Sequence, residues 1–372
     1  MANKGSSIRA RLRAAKLELL DLKIEVQSII EKTEKELDSV WMDIGKRVVD
    51  KFELSAVRQL RGHYGKVCDI SWCSDPAKSH LLASVGQDAK LLLWDAQLQR
   101  RVAAVSLPYA WVMSGAASSD AQLICAGGLD NAVSIYRLAD TDGISLGGII
   151  TEPSCQLKGH DGYVSDCKFL TSTSMLTASG DSTCALWDTD ACKATRIFCG
   201  HDADVQALGL NPVDSNIFAS GSCDSLIRIM DVRDSSKTAA VIRGHEGDVN
   251  DVCFSECGNL VCSASNDSTC RMNDVRIQGP LSVFSNSSLS GVACNSVALS
   301  KSNSVIFTGH EDATLIAWQA TSAHLYVLLL TQRLTQHTGL LFAEISLLCP
   351  SKSIKQRRQR MAAIPAVFQV CA

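Results

Sequence analysis

From Ser7 to about Leu37 the chain holds no proline or glycine, and apolar residues recur in alternating steps of four and three at Ile8, Leu12, Ala15, Leu19, Leu22, Val26 and Ile29. That spacing predicts a helix with a coiled-coil seam along one side. Leu17, Leu20 and Ile24 widen the stripe, while Arg11, Lys16, Glu18, Lys23 and Glu25 supply polar edges. The first turns are basic, with Arg9, Arg11 and Arg13 opposing the helix dipole. Such a helix should draw its stability from packing against a partner helix. After a mixed-charge connection the pattern changes period. Short apolar or alternating segments, such as Val67 to Trp72, Leu81 to Val85 and Leu91 to Trp94, are punctuated by turn residues and predict strands.

These strand groups recur. Aspartates stand at Asp88, Asp130, Asp181, Asp224, Asp267 and Asp312, separated by 42, 51, 43, 43 and 45 residues. Six residues beyond each come Trp94, Tyr136, Trp187, Met230, Asn273 and Trp318, and four residues before each come Ser84, Ala126, Thr177, Ser220, Ser263 and Thr308. A Gly-His pair opens four units, at His63, His160, His201 and His245. A period of this length, with four short strands per unit, predicts an all-β propeller with six clear blades. Residues 1–54 are thus a helix and linker, 55–319 the repeats, and 320–372 a divergent tail. The segment from Ala139 to Glu152 reads as a surface loop. The tail has no aspartate and no Gly-His; its apolar run Leu325 to Leu330 and its basic cluster at Lys352, Lys355, Arg357, Arg358 and Arg360 fit no position of the repeat.

The recurring residues have a structural reason. A histidine in the turn entering each unit can bond the aspartate between the second and third strands, and the hydroxyl can join that histidine to an indole N–H, leaving no buried polar group open. The complete sets are His63, Ser84, Asp88 and Trp94, and His160, Thr177, Asp181 and Trp187. Met230 and Asn273 stand in the tryptophan place of units four and five, so those networks are predicted to be truncated and their blades less rigid. A histidine, a serine and an aspartate also suit a hydrolase. Here the constellation appears four times, with its hydroxyls inside strands, and no catalytic role is expected.

Composition removes other classes. A formal net charge of -3 gives no reason to expect nucleic acid. Sixteen cysteines are many, but Cys68, Cys125, Cys167, Cys184 and Cys253 sit singly in apolar strands and read as reduced thiols. Cys253 and Cys257 lack a second ligand pair, so no metal or other cofactor is expected. The longest apolar run is far short of the roughly 20 residues that cross a bilayer, so no direct membrane insertion is expected.

If the constant positions build the scaffold, the variable ones choose partners. The third position after each Gly-His precedes the first strand of its unit and should face a common rim. It is Lys66, Tyr163, Asp204 and Asp248, with Trp111 at the matching place in unit two. Aromatic and charged residues gathered on one rim have the composition of a protein-binding hot spot.

Longer stretches are more specific. They include Leu-Arg-Gly-His at 60 to 63, Trp-Val-Met at 111 to 113, Cys-Ala-Gly-Gly-Leu-Asp-Asn at 125 to 131, Ser-Gly-Asp-Ser-Thr-Cys-Ala-Leu-Trp-Asp at 179 to 188, and Gly-His-Glu-Gly-Asp-Val-Asn at 244 to 250. With the N-terminal heptads, residues 7 to 319 closely resemble the β subunit of heterotrimeric G proteins. That resemblance implies a seven-bladed WD-repeat propeller, its seventh blade here missing or degenerate, whose helix pairs with a small prenylated γ subunit at the cytoplasmic face of the plasma membrane. Its narrow face would bind the GDP-bound α subunit and then effectors. Carried over by motif, that surface is Lys66, Lys90, Leu92, Arg101, Trp111, Met113, Leu129, Asn131, Tyr163, Asp204, Cys223 and Asp248. Cys68, Gln206 and Asn266 depart from the family and should retune α contact. The tail is expected either as an end unrelated to the repeat, from alternative splicing or a mistaken gene model, or as a degenerate blade; the first reading is preferred. The competing function is another repeat scaffold, such as a substrate receptor for ubiquitin ligation, which would lack the paired heptad helix.

Overall fold

The computed structural model describes residues 56–73, 75, 78–138, 149–277, 279–286, 289–320, 325–330 and 367–371. The heptad residues Ile8, Leu12, Ala15, Leu19, Leu22, Val26 and Ile29 lie outside these. Among the described residues the regular elements are strands, and no helix is long and apolar enough to cross a membrane.

Strand β1 (Ala56–Arg61) precedes six antiparallel meanders. Blade 1 comprises β2 (Val67–Trp72), β3 (Leu81–Gly86), β4 (Lys90–Asp95) and β5 (Arg100–Ser106). Blade 2 has β6 (Val112–Ala117), β7 (Leu123–Gly128) and β8 (Ala132–Arg137). Its chain then makes a short detour, in which β9 (Ile149–Ile150) adds in parallel to the outer edge of blade 1, before β10 (Cys155–Lys158) returns beside β8. Blade 3 follows as β11 (Val164–Phe169), β12 (Ser174–Ser179), β13 (Cys184–Asp188) and β14 (Lys193–Phe198). Blade 4 is β15 (Val205–Leu210), β16 (Ile217–Ser222), β17 (Ile227–Asp231) and β18 (Asp234–Ile242). Blade 5 is β19 (Val249–Phe254), β20 (Leu260–Ser265), β21 (Cys270–Asp274) and β22 (Gly279–Phe284). Blade 6 is β23 (Cys294–Leu299), β24 (Val305–His310), β25 (Thr314–Gln319) and β26 (Leu325–Leu330). The chain is a six-blade β-propeller.

Two results concern the tail. The run Leu325 to Leu330, which fits no repeat position in the sequence, pairs antiparallel with β25 and is the fourth strand of blade 6. The last described residues, β27 (Val367–Cys371), pair in parallel with β1, so the segment before the first repeat finds its strand partner there.

Strands in the middle of a blade are apolar on both faces because each blade is sandwiched between neighbours. Leu81, Ala83, Val85, Leu91 and Leu93 of blade 1 pack against Val112, Ile124, Ala126 and Tyr136 of blade 2. The alternate residues Leu82, Leu92 and Trp94 form a second cluster with Leu60 and Val67. Each fully buried leucine contributes about 2 kcal/mol relative to an exposed one.

Inner strands are also tied by side chains that reach the next blade's backbone. Asp69 Oδ2 accepts from Gly115 N at 3.0 Å, Ser114 Oγ from Cys167 N at 3.2 Å, Asp166 Oδ2 from Leu208 N at 2.8 Å, and Asp251 Oδ2 from Val297 N at 2.8 Å. These residues share one position, two after the start of the inner strand, and they join blades 1 to 2, 2 to 3, 3 to 4 and 5 to 6. In blade 4 that position is Ala207, which has no acceptor to offer. In blade 6 it is Ser296, whose buried Oγ has no hydrogen-bond partner among the described residues.

The cysteine expectation needs one correction. Twelve of the described cysteines are free, but Cys155 and Cys192 form a disulfide between blades 2 and 3. They are 37 residues apart, and only the meander of blade 3 brings the β13–β14 turn beside β10.

Candidate protein-binding rim

The rim is held up by the tetrads. In blade 1, Trp94 Nε1 donates to Ser84 Oγ at 2.8 Å, Ser84 Oγ lies 2.8 Å from His63 Nε2, and His63 Nδ1 lies 3.0 Å from Asp88 Oδ1. Asp88 also accepts from Tyr64 N at 3.0 Å, which fixes the turn leading to the inner strand. In blade 3 the same path runs from Trp187 to Thr177 at 2.8 Å, to His160 at 2.7 Å, and on to Asp181 at 2.8 Å. Blades 4 and 5 keep the last two links, with His201 and His245 2.8 Å from Asp224 and Asp267 and bonded to Ser220 and Ser263. Met230 and Asn273 are buried in the tryptophan place. Blade 6 solves the problem differently. Trp318 donates to Thr308 at 2.8 Å, but Thr308 meets His310, a residue of strand β24 rather than of an entering turn, at 3.1 Å. In blade 2, with Ala126 in the hydroxyl place, fully buried Tyr136 packs into the cluster between blades 1 and 2, and burial raises the pKa of its phenol.

Electrostatics fit a structural role. Burial pushes the Asp88 carboxyl up, but bonds from His63 and the Tyr64 amide outweigh it and leave the pKa below its ordinary value. The same balance holds for Asp224 with His201. Burial lowers the His201 pKa against the pull of Asp224, which favours the neutral ring. The hydroxyls of Ser84, Thr177, Ser220 and Ser263 are buried inside the sheets, so none can reach a substrate.

Each tetrad turn positions two rim residues through one repeated bond. The carbonyl of the residue before the inner strand accepts from the amide of the residue before the tetrad aspartate. The pairs are Lys66 with Gln87 at 2.8 Å, Trp111 with Leu129 at 3.3 Å, Tyr163 with Gly180 at 2.9 Å, Asp204 with Cys223 at 2.9 Å and Asp248 with Asn266 at 2.9 Å. Blade 6 repeats it between Ala293 and Glu311 at 3.0 Å. Lys66, Trp111, Tyr163, Asp204 and Asp248 therefore stand at one end of consecutive blades, with Leu129 and Cys223 beside them. Lys90 and Asn131 belong to the same turns, and Met113 is one residue into β6. Leu92 and Arg101 are placed elsewhere. Leu92 is 0 % exposed because it pairs with Ser84 on the tetrad side of β4, so it supports the rim from behind and offers no surface. Arg101 is exposed on β5 opposite Trp94, on the outer strand and away from the rim turns.

On one arc the rim is aromatic and basic. Trp111 is 57 % exposed, with Tyr109 at 59 % and Leu129 at 53 % around it. Lys90 Nζ lies 4.7 Å above the ring of Tyr64, a cation–π contact. Tyr64 and Tyr109 are rim residues that the repeat phasing misses, since neither holds the third position after a Gly-His; Tyr64 could have been found as the residue directly after the pair. On the next arc the rim is a connected polar network. Tyr163 Oη donates to Asp204 Oδ2 at 2.9 Å and accepts from Gln206 Nε2 at 2.9 Å. Gln206 Nε2 also lies 3.3 Å from Cys223 Sγ. Asn266 donates to Asp248 Oδ2 at 3.1 Å and accepts from Asn250 at 2.7 Å. Burial, helped by Asp204, raises the Tyr163 pKa; burial also raises that of Cys223, next to Asp248 and Asp204. Both shifts favour the protonated groups, which suits their hydrogen bonding within the rim.

Among the described residues no cluster of histidine, cysteine and carboxylate side chains could hold a metal ion. The family model for "G protein beta WD-40 repeat protein" matches residues 22–333. The guanine nucleotide-binding protein subunit beta of Oryza sativa subsp. japonica is 35% identical over 353 residues, covering 90% of this chain and 86% of that relative. The like-named protein of Zea mays is 36% identical over 302 residues, 77% of each. That of Arabidopsis thaliana is 34% identical over 326 residues, 84% of this chain and 81% of the relative.

Proposed function

The chain belongs to the G protein beta WD-40 repeat family, and from that premise we propose that it is the β subunit of a heterotrimeric G protein. In this reading it does no chemistry. Ile8, Leu12, Ala15, Leu19, Leu22, Val26 and Ile29 form the seam for a γ subunit, whose prenyl group holds the pair at the inner face of the plasma membrane. The rim binds the GDP form of an α subunit, and effectors use overlapping residues once α is released.

The observation that carries the reading is the exposed Trp111, Tyr109 and Leu129 cluster, held by bonded turns and flanked by Lys66 and Lys90 on one side and the Tyr163–Asp204 and Asp248 networks on the other. A large exposed aromatic on a rigid support loses little conformational entropy on docking, which makes it an efficient anchor. Charged groups around it set orientation and association rate. Because one anchor serves α and effectors, only one of them can occupy it at a time. Gln206 and Asn266 are spent on neighbours within the rim, so partner contact there should be retuned rather than lost.

The test is co-expression with a γ subunit and a GDP-loaded α subunit. A stable three-chain complex is expected, with dissociation of α on activation. Deleting residues 1–37 should abolish γ association. Failure of the full chain to bind any γ subunit would overturn the reading.

A further inference from the structure

The segment 149–158 fastens three blades at once. Its first strand, β9, lies parallel to β5 on blade 1, with Ala104 opposite Ile149 and Val105 opposite Ile150. Its second, β10, pairs with β8 of blade 2 from Cys155 opposite Ile135 to Lys158 opposite Ala132. The Cys155–Cys192 bond then ties it to blade 3. Gly159 and His160 follow directly, with Tyr163 three residues further on, so this fastening lies just upstream of a tetrad histidine and a rim aromatic.

Two features make the bond addressable. Both cysteines are partly exposed, and Ser154, Gln156, Ala191 and Lys193 beside them are exposed, so a small thiol can approach. The turn carrying Cys192 needs no crosslink for its shape. Cys192 has φ 52°, and Gln99, five residues past Trp94 just as Cys192 is five past Trp187, has φ 54° in the matching turn of blade 1. The other sulfur pair across this seam, Cys125 and Cys167 with sulfurs 3.5 Å apart, is fully buried and closed to reagents.

We propose that Cys155–Cys192 is a reversible thiol–disulfide switch that fixes the outer strand of blade 2 and thereby sets the mobility of the connection feeding His160 and Tyr163. A small-molecule thiolate attacks one sulfur and forms a mixed disulfide, releasing the other cysteine as a thiolate. A second small thiol frees the first cysteine. Cys155 and Cys192 thus gain two electrons and two protons, and the two small thiols become one disulfide. Reduction leaves β10 held by its hydrogen bonds to β8 and by the buried Leu157, at the edge of the blade.

The full-length protein is equilibrated in glutathione buffers from reducing to oxidising, and free thiols are alkylated and mapped by mass spectrometry while hydrogen exchange is followed. Cys155 and Cys192 are expected to become alkylated together in reducing buffer. Amides of 155–158 should then exchange on the order of 10- to 100-fold faster, with blades 4 and 5 unchanged. Cys155→Ser and Cys192→Ser should each show the fast rate whatever the buffer; if either misfolds, the wild-type titration alone decides. Three results would overturn the proposal: both sulfurs alkylated at every poise, a bond that yields only when the protein unfolds, or reduction without change in exchange.

Discussion

Ser84→Ala should cost more than the equivalent change in blade 4, and the difference measures what the indole contributes. In blade 1 the hydroxyl serves two buried groups, accepting Trp94 Nε1–H and facing His63 Nε2, each at 2.8 Å. Removing it strands both at about 1 to 3 kcal/mol each, so about 3 kcal/mol in all. In blade 4, Ser220 faces His201 Nε2 at 2.8 Å; Met230 in the tryptophan place has no donor, and the second group at the hydroxyl is the buried Cys184 thiol, a weak partner beside an indole N–H. Ser220→Ala should therefore cost about 1.5 kcal/mol. A repeat array of this size need not unfold in one step, so the assay is native-state hydrogen exchange read blade by blade. A cycle with Trp94→Phe should return a coupling of about 1 to 2 kcal/mol between Ser84 and Trp94. Equal costs in the two blades, or a coupling near zero, would refute the tetrad account.

Three further outcomes are expected. Trp111→Ala should weaken α-subunit binding by about 2 kcal/mol or more, roughly 30-fold, with unchanged exchange in blade 2, as read by titration calorimetry. A methyl at Gly180 would stand 2.3 Å from the Tyr163 ring, so Gly180→Ala should push that side chain off Asp204 at small cost to the fold; a lowered Tyr163 pKa in a spectrophotometric titration reports it. Folding stability should fall on acidification in two stages. The lowered His201 pKa means that the unfolded chain binds the proton first, so stability declines from about pH 6.5 downward; the depressed Asp88, Asp181 and Asp224 add a second decline below about pH 4. Asp251 runs the other way. Burial lifts its pKa to about 6, so its contribution is full below the ordinary carboxylate pKa and is lost as pH rises to 6. Asp251→Asn should therefore gain about 1.5 kcal/mol at pH 7 relative to pH 4, after allowance for its partial exposure, in urea titrations at both pH values.

The parts of this fold legible in sequence are those written within one blade. His63, Ser84, Asp88 and Trp94 lie within a single meander at fixed offsets, so the offsets recur whenever the meander does. The rim position could be phased from the same markers, because the residue before each inner strand is tied to the aspartate turn. Features that depend on pairing or on side-chain direction are not written there. Leu325 to Leu330 carries no marker of its own and gains its place only by pairing with β25. His310 follows a glycine but sits on a strand, so a search for Gly-His ahead of an inner strand passes over it. Leu92 was carried onto the surface by motif, whereas the two-residue alternation of β4 turns it inward with Trp94.

The inner-strand tethers are unevenly shared, and that shapes how the molecule should come apart. Asp69, Ser114 and Asp166 lace the first four blades into one body, and Asp251 laces the last two into another; at Ala207 the lacing skips. Under slow denaturation the seam between blades 4 and 5, held by its apolar cluster and the Asn211–Gly258 bond but by no inner-strand tether, should therefore open before the seams at Asp69, Ser114, Asp166 and Asp251.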